Sequence, residues 1–235
     1  MYAPDPRRRR IYRRFASVFG ATVFSAATLV ATGTGVAAAT PANELLNRLC
    51  IKYVPEPNVN DVSDCRGANL GGANLNGVNL NGANLEIANF RDANLQGADL
   101  RGANLRNTGF GGANLSYANL AHATAEYALM RGADASYTNF AYAKMRHVDL
   151  RDARLVYANL AGTDLESAAM VNADLSFANL DGANLTRANL AMTTLVGANL
   201  RGTDRTGTIF TGAEPSPDAP LDFAGSLAGP FGFGG

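Results

Sequence analysis

Bulky apolar, small and polar residues recur along this chain with a period of five. From Leu70 to Phe210 a bulky residue stands at every fifth position, and from Ala68 to Thr208 a small one stands two places earlier. Over these 29 repeats the bulky slot is Leu 19 times, Phe four, Met three, Ala twice (Ala125, Ala135) and Arg once (Arg205). The small slot is Ala 21 times, Thr six and Val twice, with Asn or Asp between the two slots in 21 repeats. A period of five fits neither the 3.6 of a helix nor the 2 of a strand. A strict short period that is neither marks a solenoid.

The unit has two inward candidates separated by one polar residue, which makes a three-residue extended step with alternating faces. The remaining two residues are often Gly, Ser, Asn or Arg, which suits a corner. One short side plus one corner per unit closes a square after four units, and stacked coils pair at ~4.8 Å per layer. The pattern therefore predicts an all-β solenoid of about seven coils, a rod on the order of 35 Å long. Each coil buries its core only against its neighbours, so stability is expected to be nearly additive along the axis.

The runs Ala68-Asn69-Leu70, Ala73-Asn74-Leu75, Ala83-Asn84-Leu85 and Ala183-Asn184-Leu185 resemble the pentapeptide-repeat family, whose pattern is A-(D/N)-L-x-x. The match runs over residues 66–213. It implies a right-handed quadrilateral β-helix; the handedness comes from the resemblance alone. Some members of that family protect or inhibit DNA gyrase by imitating DNA in shape and negative charge, usually as dimers joined through a C-terminal helix. The resemblance thus carries a DNA-mimicking alternative function. This chain departs from it in its charge, its Gly- and Pro-containing tail and its N-terminal head.

Departures from the repeat are local. Ala125 and Ala135 replace the bulky residue close together, with Met130, Phe140 and Met145 around them in sequence. An unfilled Leu-to-Ala gap costs roughly 2–5 kcal/mol, and Met fills irregular gaps. Residues 121–147 therefore read as one repacked coil, and Arg205 as the end of the buried stack.

The flanks differ in kind. Residues 1–39 read as an export signal: Arg7, Arg8, Arg9, Arg10, Arg13 and Arg14 form a basic head, Phe15 to Val36 is uncharged, and Ala37-Ala38-Ala39 offers a cleavage site before Thr40. Uncleaved, the same segment would be a membrane anchor. Residues 40–65 read as a cap, with a short N-terminal capping helix begun by Thr40-Pro41 and ended by Pro55 and Pro57. Solenoid ends need such lids, because a terminal coil otherwise exposes core and strand edges. Cys50 and Cys65 are the only cysteines, and an even pair in an exported chain suggests one disulfide, worth about 3 kcal/mol. Residues 214–235 read as a flexible Gly/Pro-containing tail.

Charge sharpens this picture. The whole chain carries 20 Lys plus Arg against 20 Asp plus Glu, and the repeats alone carry 12 against 12. A neutral rod neither attracts phosphates nor imitates them, so nucleic acid is not an expected partner. Without the first 39 residues the balance is 14 against 19, a net −5.

If four repeats close one coil, residues 20 apart stack. One outward column, Glu86, Arg106, Glu126, Arg146, Glu166, alternates in sign. Such pairs are individually weak, but a one-coil slip would set like charges together, so this ladder is a candidate register device. A second column, Tyr117, Tyr137, Tyr157, Phe177, has Gly below it (Gly77, Gly97) and above it (Gly197). Two readings stay open here. Outward aromatics mark binding faces, and the rings also stack on one another to stabilise adjacent coils.

No nucleophile–base–orienter set, metal spacing or phosphate loop is legible, and His122 and His147 fall on different corners. The expectation is an exported, non-enzymatic structural or binding scaffold of the bacterial envelope or medium, without cofactor. Its partner would be a protein or glycan of the envelope, or a second copy. It would touch membrane only through an uncleaved N-terminal segment.

Overall fold

The structure is a computed structural model, and it describes residues 64–213. Segments 1–63 and 214–235 lie outside the described residues. With them go the export signal, the capping helix, Cys50 and the tail.

Winding follows from one pairing rule. Among the described residues every β-bridge is parallel and joins a residue to the one 20 positions on, from Asp64–Asn84 to Asn189–Ile209. Four five-residue units therefore complete each turn, and the middle residue of each unit, most often Asn or Asp, is the one that bridges. Side one carries Asn84, Asn104 and Thr124; side two Asn69, Asn89 and Gly109; side three Asn74, Asn94 and Asn114; side four Asn79, Asp99 and Asn119.

Accounting for amides shows why a five-residue unit suffices. In a typical unit Leu70 N–H donates to the Asn89 carbonyl at 2.7 Å, Gly72 N–H to Arg91 at 2.8 Å, and Asn89 N–H to Ala68 at 2.9 Å. These three bonds cross between coils. Ala73 N–H donates to the Leu70 carbonyl at 3.1 Å and closes the corner. One amide per unit remains, that of the first corner residue. The middle Asn or Asp accepts it: Asn119 Oδ1 from Ala121 at 3.1 Å, Asn139 Oδ1 from Ala141 at 3.1 Å, Asp134 Oδ1 from Ser136 at 3.0 Å. The preference for Asn and Asp in that slot is thus a backbone requirement.

Each corner carries a left-handed residue in its second position. Tyr137 has φ 59° and Phe177 φ 58°, and the glycines at other corners match them, as at Gly197 with φ 67°. A corner bond across four residues with positive φ at the third is the type II pattern.

The interior is a continuous apolar column. The bulky-slot leucines from Leu70 to Leu195 are buried, and Phe90 stacks on Phe110 inside side two at 5.2 Å. Ala125 and Ala135 stand on opposite walls of one coil, with Met130 and Phe140 on the other two, and all four are at most 1% exposed. Two long side chains thus face two short ones, and bridging runs through without interruption (Asn119–Asn139, Thr124–Lys144). Six threonines occupy small slots. Thr108, Thr138 and Thr163 are buried and return their hydroxyls to the Leu85, Leu115 and Phe140 carbonyls of the coil below, at 2.9, 2.7 and 2.9 Å. Arg205 is half-buried near the upper end, and Phe210 on the next side is 8% exposed.

Candidate functional site

The corners of this fold point their second residue outward, and the coil spacing of ~4.8 Å falls within the ~4.5–7 Å between centroids that offset aromatic pairs favour. On the corner that follows side three the rings stack. Tyr117 lies on Tyr137 at 4.8 Å between centroids, Tyr137 on Tyr157 at 5.1 Å and Tyr157 on Phe177 at 4.9 Å, with interplanar angles of 2°, 12° and 10°. All four sit at left-handed φ between 58° and 60°. The next two corners along the winding hold shorter stacks, His122 on Tyr142 at 5.4 Å and Tyr127 on His147 at 4.8 Å. The histidines thus stand on separate corners, each face to face with a tyrosine.

The rings are half-exposed although stacked. Tyr117 is 59% exposed, Tyr137 and Tyr157 48% each, and Phe177 49%. Their edges form one vertical strip. Alongside it on side four, Asn119, Asn139, Asn159, Asn179 and Asn199 pass amide hydrogen bonds up the rod at 2.9–3.3 Å. Ser116, Ser136 and Ser176 flank the other edge, each turned back onto Asn114, Asp134 or Asp174 at 2.6 Å.

The charged column of side one's corner is only partly zipped. Arg106 meets Glu126 at 2.5 Å, and Arg146 reaches Glu166 at 3.4 Å. Both arginines turn to the coil above. Among the described residues, Glu86 with Arg106 and Glu126 with Arg146 form no ion pair. Arg146 also holds Asp164 at 2.5 Å, closer than its ladder partner, and Arg187 joins Glu166 from the same corner one coil up. The ladder is therefore a set of upward pairs plus a cluster at Glu166, because one guanidinium cannot grip carboxylates both above and below. This column also begins one coil lower, at Arg66, which pairs within its own unit with Asp64 at 2.9 Å.

Other carboxylates are held by arginines two residues away. The Arg101 guanidinium, by hydrogen bonding, keeps the Asp99 carboxyl below the usual range, and Arg151 does the same to Asp149. Asn172, then Arg131, lowers Asp152. Each of the arginine contacts neutralises a charge locally. Among the described residues no group of His, Cys, Asp and Glu is placed to hold a metal ion. One shallow depression of about 560 Å³ lies on side two, over Gly109, Gly111 and Gly112, between Arg91 and Arg131. Its arginines are already paired, Arg91 to Asp92 at 3.7 Å and Arg131 to Asp152 at 2.9 Å. Cys65 fills the first bulky slot and is 2% exposed.

Reasoning from sequence alone missed the asparagine ladder and the backbone cost of the aromatic corners. The signal for the first was the frequency of Asn and Asp in the middle slot. The signal for the second was the glycine that shares the aromatic position in other coils.

Comparison with known proteins agrees with this geometry. The family model for pentapeptide repeats matches in eight copies over residues 63–107, 88–119, 113–152, 149–187 and 178–214. Among solved structures, a trypsin-treated variant of QnrB1, a plasmid-mediated fluoroquinolone resistance protein, is 22% identical, with a TM-score of 0.51 over 62% of this chain and 70% of that one. HetL, a pentapeptide repeat protein involved in heterocyst differentiation regulation in the cyanobacterium Nostoc sp. strain PCC 7120, is 32% identical over 67% of this chain and 76% of its own, with a TM-score of 0.30. Rfr23 from the cyanobacterium Cyanothece 51142 is 26% identical over 52% of this chain and 90% of its own, with a TM-score of 0.32. No curated protein matches the sequence.

Proposed function

The chain belongs to the pentapeptide-repeat family, whose members wind as right-handed quadrilateral β-helices, and from that premise we propose that it is an exported, non-enzymatic scaffold. In this reading about seven coils hold out the aromatic strip as a contact face for a protein or glycan of the cell envelope. Family membership favours a structural or binding role over catalysis.

The observation that carries the reading is the strip itself. Four rings stand half-exposed at positive φ, a conformation that costs a bulky side chain on the order of 1–2 kcal/mol and costs glycine nothing comparable. Glycine occupies the same column at Gly77, Gly97 and Gly197. Stacking offsets part of that cost, at ~0.5–1.5 kcal/mol per pair, and leaves a flat edge that a partner can cover. The test is the double variant Tyr137→Ser with Tyr157→Ser. A folded protein with weakened binding to cell-envelope material supports a contact face. Lost stability with unchanged binding leaves only a stacking role.

Export rests on the basic, then apolar, then small-residue order of residues 1–39. N-terminal mass analysis of cell fractions tests it, with a mature form beginning near Thr40 outside the cytoplasmic membrane as the expected result. A disulfide from Cys65 to Cys50 would staple the cap onto the first coil, and non-reducing mass analysis of the same sample reads it. A DNA-mimicking role finds no support in the charges. The repeats balance 12 against 12, and carboxylates such as Asp99, Asp149 and Glu126 are each held by an arginine.

A further inference from the structure

The two ends of the aromatic stack differ. At the upper end Phe177 leans over Gly197: a Cβ placed there would come within 2.4 Å of the ring. The glycine backbone covers that end, and Phe177 is no more exposed than the inner rings. At the lower end Tyr117 looks down on Gly97 and Gly77, where a Cβ would meet nothing within 4 Å. Tyr117 is 59% exposed against 48–49% for the other three rings. The stack therefore ends in an open ring face above two bare corners. That gap is two layers tall, or about 9.6 Å at ~4.8 Å per layer.

Polar groups rim the gap on both sides. One residue before the corners, Asn76 Nδ2 donates to Gln96 Oε1 at 3.2 Å across the two coils. Gln96 keeps its own amide nitrogen for other use among the described residues. Two residues beyond Gly97, Asp99 is clamped by Arg101 at 2.7 Å and offers fixed carboxylate oxygens. An apolar ring face between amides on one side and a carboxylate on the other matches a pyranose. Such a sugar carries C–H bonds on its face and hydroxyls around its rim, and both amide and carboxylate groups bind hydroxyls. A nucleobase on a phosphate chain fits worse, because the rod carries no net charge to attract it.

We infer that the outer face of Tyr117, above Gly97 and Gly77, is a stacking subsite for a saccharide ring. This rests on the reading of the strip as a contact face and names its ligand class. The probes are the β-1,4-linked tetramers of N-acetylglucosamine and of glucose, titrated into the full chain. Saturation transfer from tyrosine ring protons and tyrosine emission report binding, since the chain has no Trp. The informative variant is Gly97→Tyr. It extends the stack by one ring, in a conformation that Tyr117, Tyr137 and Tyr157 already adopt, and so fills the gap while keeping the fold. With an unchanged or raised melting temperature, Gly97→Tyr is expected to weaken binding of at least one tetramer tenfold or more. Tyr117→Ala should do the same, while Tyr127→Ala, in the separate stack with His147 on the opposite corner, should change it less than twofold. Native protein that binds neither tetramer, or a Gly97→Tyr protein that binds as the native does, overturns the subsite. Binding of envelope material without tetramer binding overturns the subsite alone and leaves the contact face standing.

Discussion

At the scale of single residues, backbone geometry and side-chain chemistry pull against each other at the aromatic corners. Tyr137 has φ 59° and stacks on both neighbours, at 4.8 and 5.1 Å. Tyr137→Ala loses both stacks and keeps the strained φ. Tyr137→Gly loses the same stacks but relieves the backbone. The glycine variant is therefore expected to be the more stable of the two by about 1 kcal/mol, reversing the usual order of Ala and Gly, with urea midpoints as the readout. Equal midpoints would mean that the corner carries no strain. Asn139 shows the opposite situation, in which backbone and side chain cooperate. Its Oδ1 accepts the Ala141 amide at 3.1 Å and the Asn159 side chain at 3.1 Å, and its Nδ2 donates to Asn119 at 3.2 Å. Asn139→Ala should cost about 1–3 kcal/mol, because a part-buried amide loses its acceptor. Asn139→Asp keeps both acceptor roles and should cost less. Chemical denaturation of the three proteins gives the order.

At the scale of the five-residue unit, the Arg–Asp pairs within single units set an acid limit. Hydrogen bonding from Arg151 holds the Asp149 carboxyl below the usual range, Arg66 and Arg101 do the same to Asp64 and Asp99, and hydrogen bonds from Asn172 and from the Thr206 backbone lower Asp152 and Asp204. A carboxyl lowered by folding stabilises the protein above its unfolded value, about 3.9, and that contribution disappears as pH falls through the folded value. Stability should thus be flat from neutral pH to about pH 5 and fall below about pH 4. Asp149→Asn should show a shallower fall in denaturation midpoint over the acid range. An identical slope would mean that the Asp149–Arg151 contact carries no pH-linked stability. The unit was also where the sequence was most legible. Leu, Ala and a corner in fixed order sufficed for the square winding and for the register of 20. The ion pairs were not legible, because arginine is long enough to choose among several carboxylates. Arg146 takes Asp164 at 2.5 Å in preference to Glu166 at 3.4 Å, and no spacing rule encodes that choice. The role of Asn in the middle slot stayed hidden for a related reason: an unpaired amide becomes visible only once the other four are assigned.

At the scale of the whole molecule, register is the quantity that matters. Deleting residues 151–170 removes one full winding and leaves every column aligned, including a shortened aromatic stack. Deleting residues 151–155 rotates everything above by one corner and splits the strip. The first deletion is expected to fold with a smaller, roughly proportional loss of stability. The second should lose the Tyr137–Tyr157 contact and leave two separate pairs on different corners, which near-ultraviolet circular dichroism of the tyrosines reads. Similar spectra for both deletions would show that the strip does not depend on the 20-residue register. The bonds that join coils have a further consequence. Leu70 to Asn89 and Asn89 to Ala68 both run between successive layers, so they lie along the axis of the rod. Tension applied at its two ends would load these bonds one layer after another rather than all at once. The molecule should therefore be stiff in compression, where the packed interior bears the load, and yield in pulling by unravelling a single loop at a time from whichever end is free.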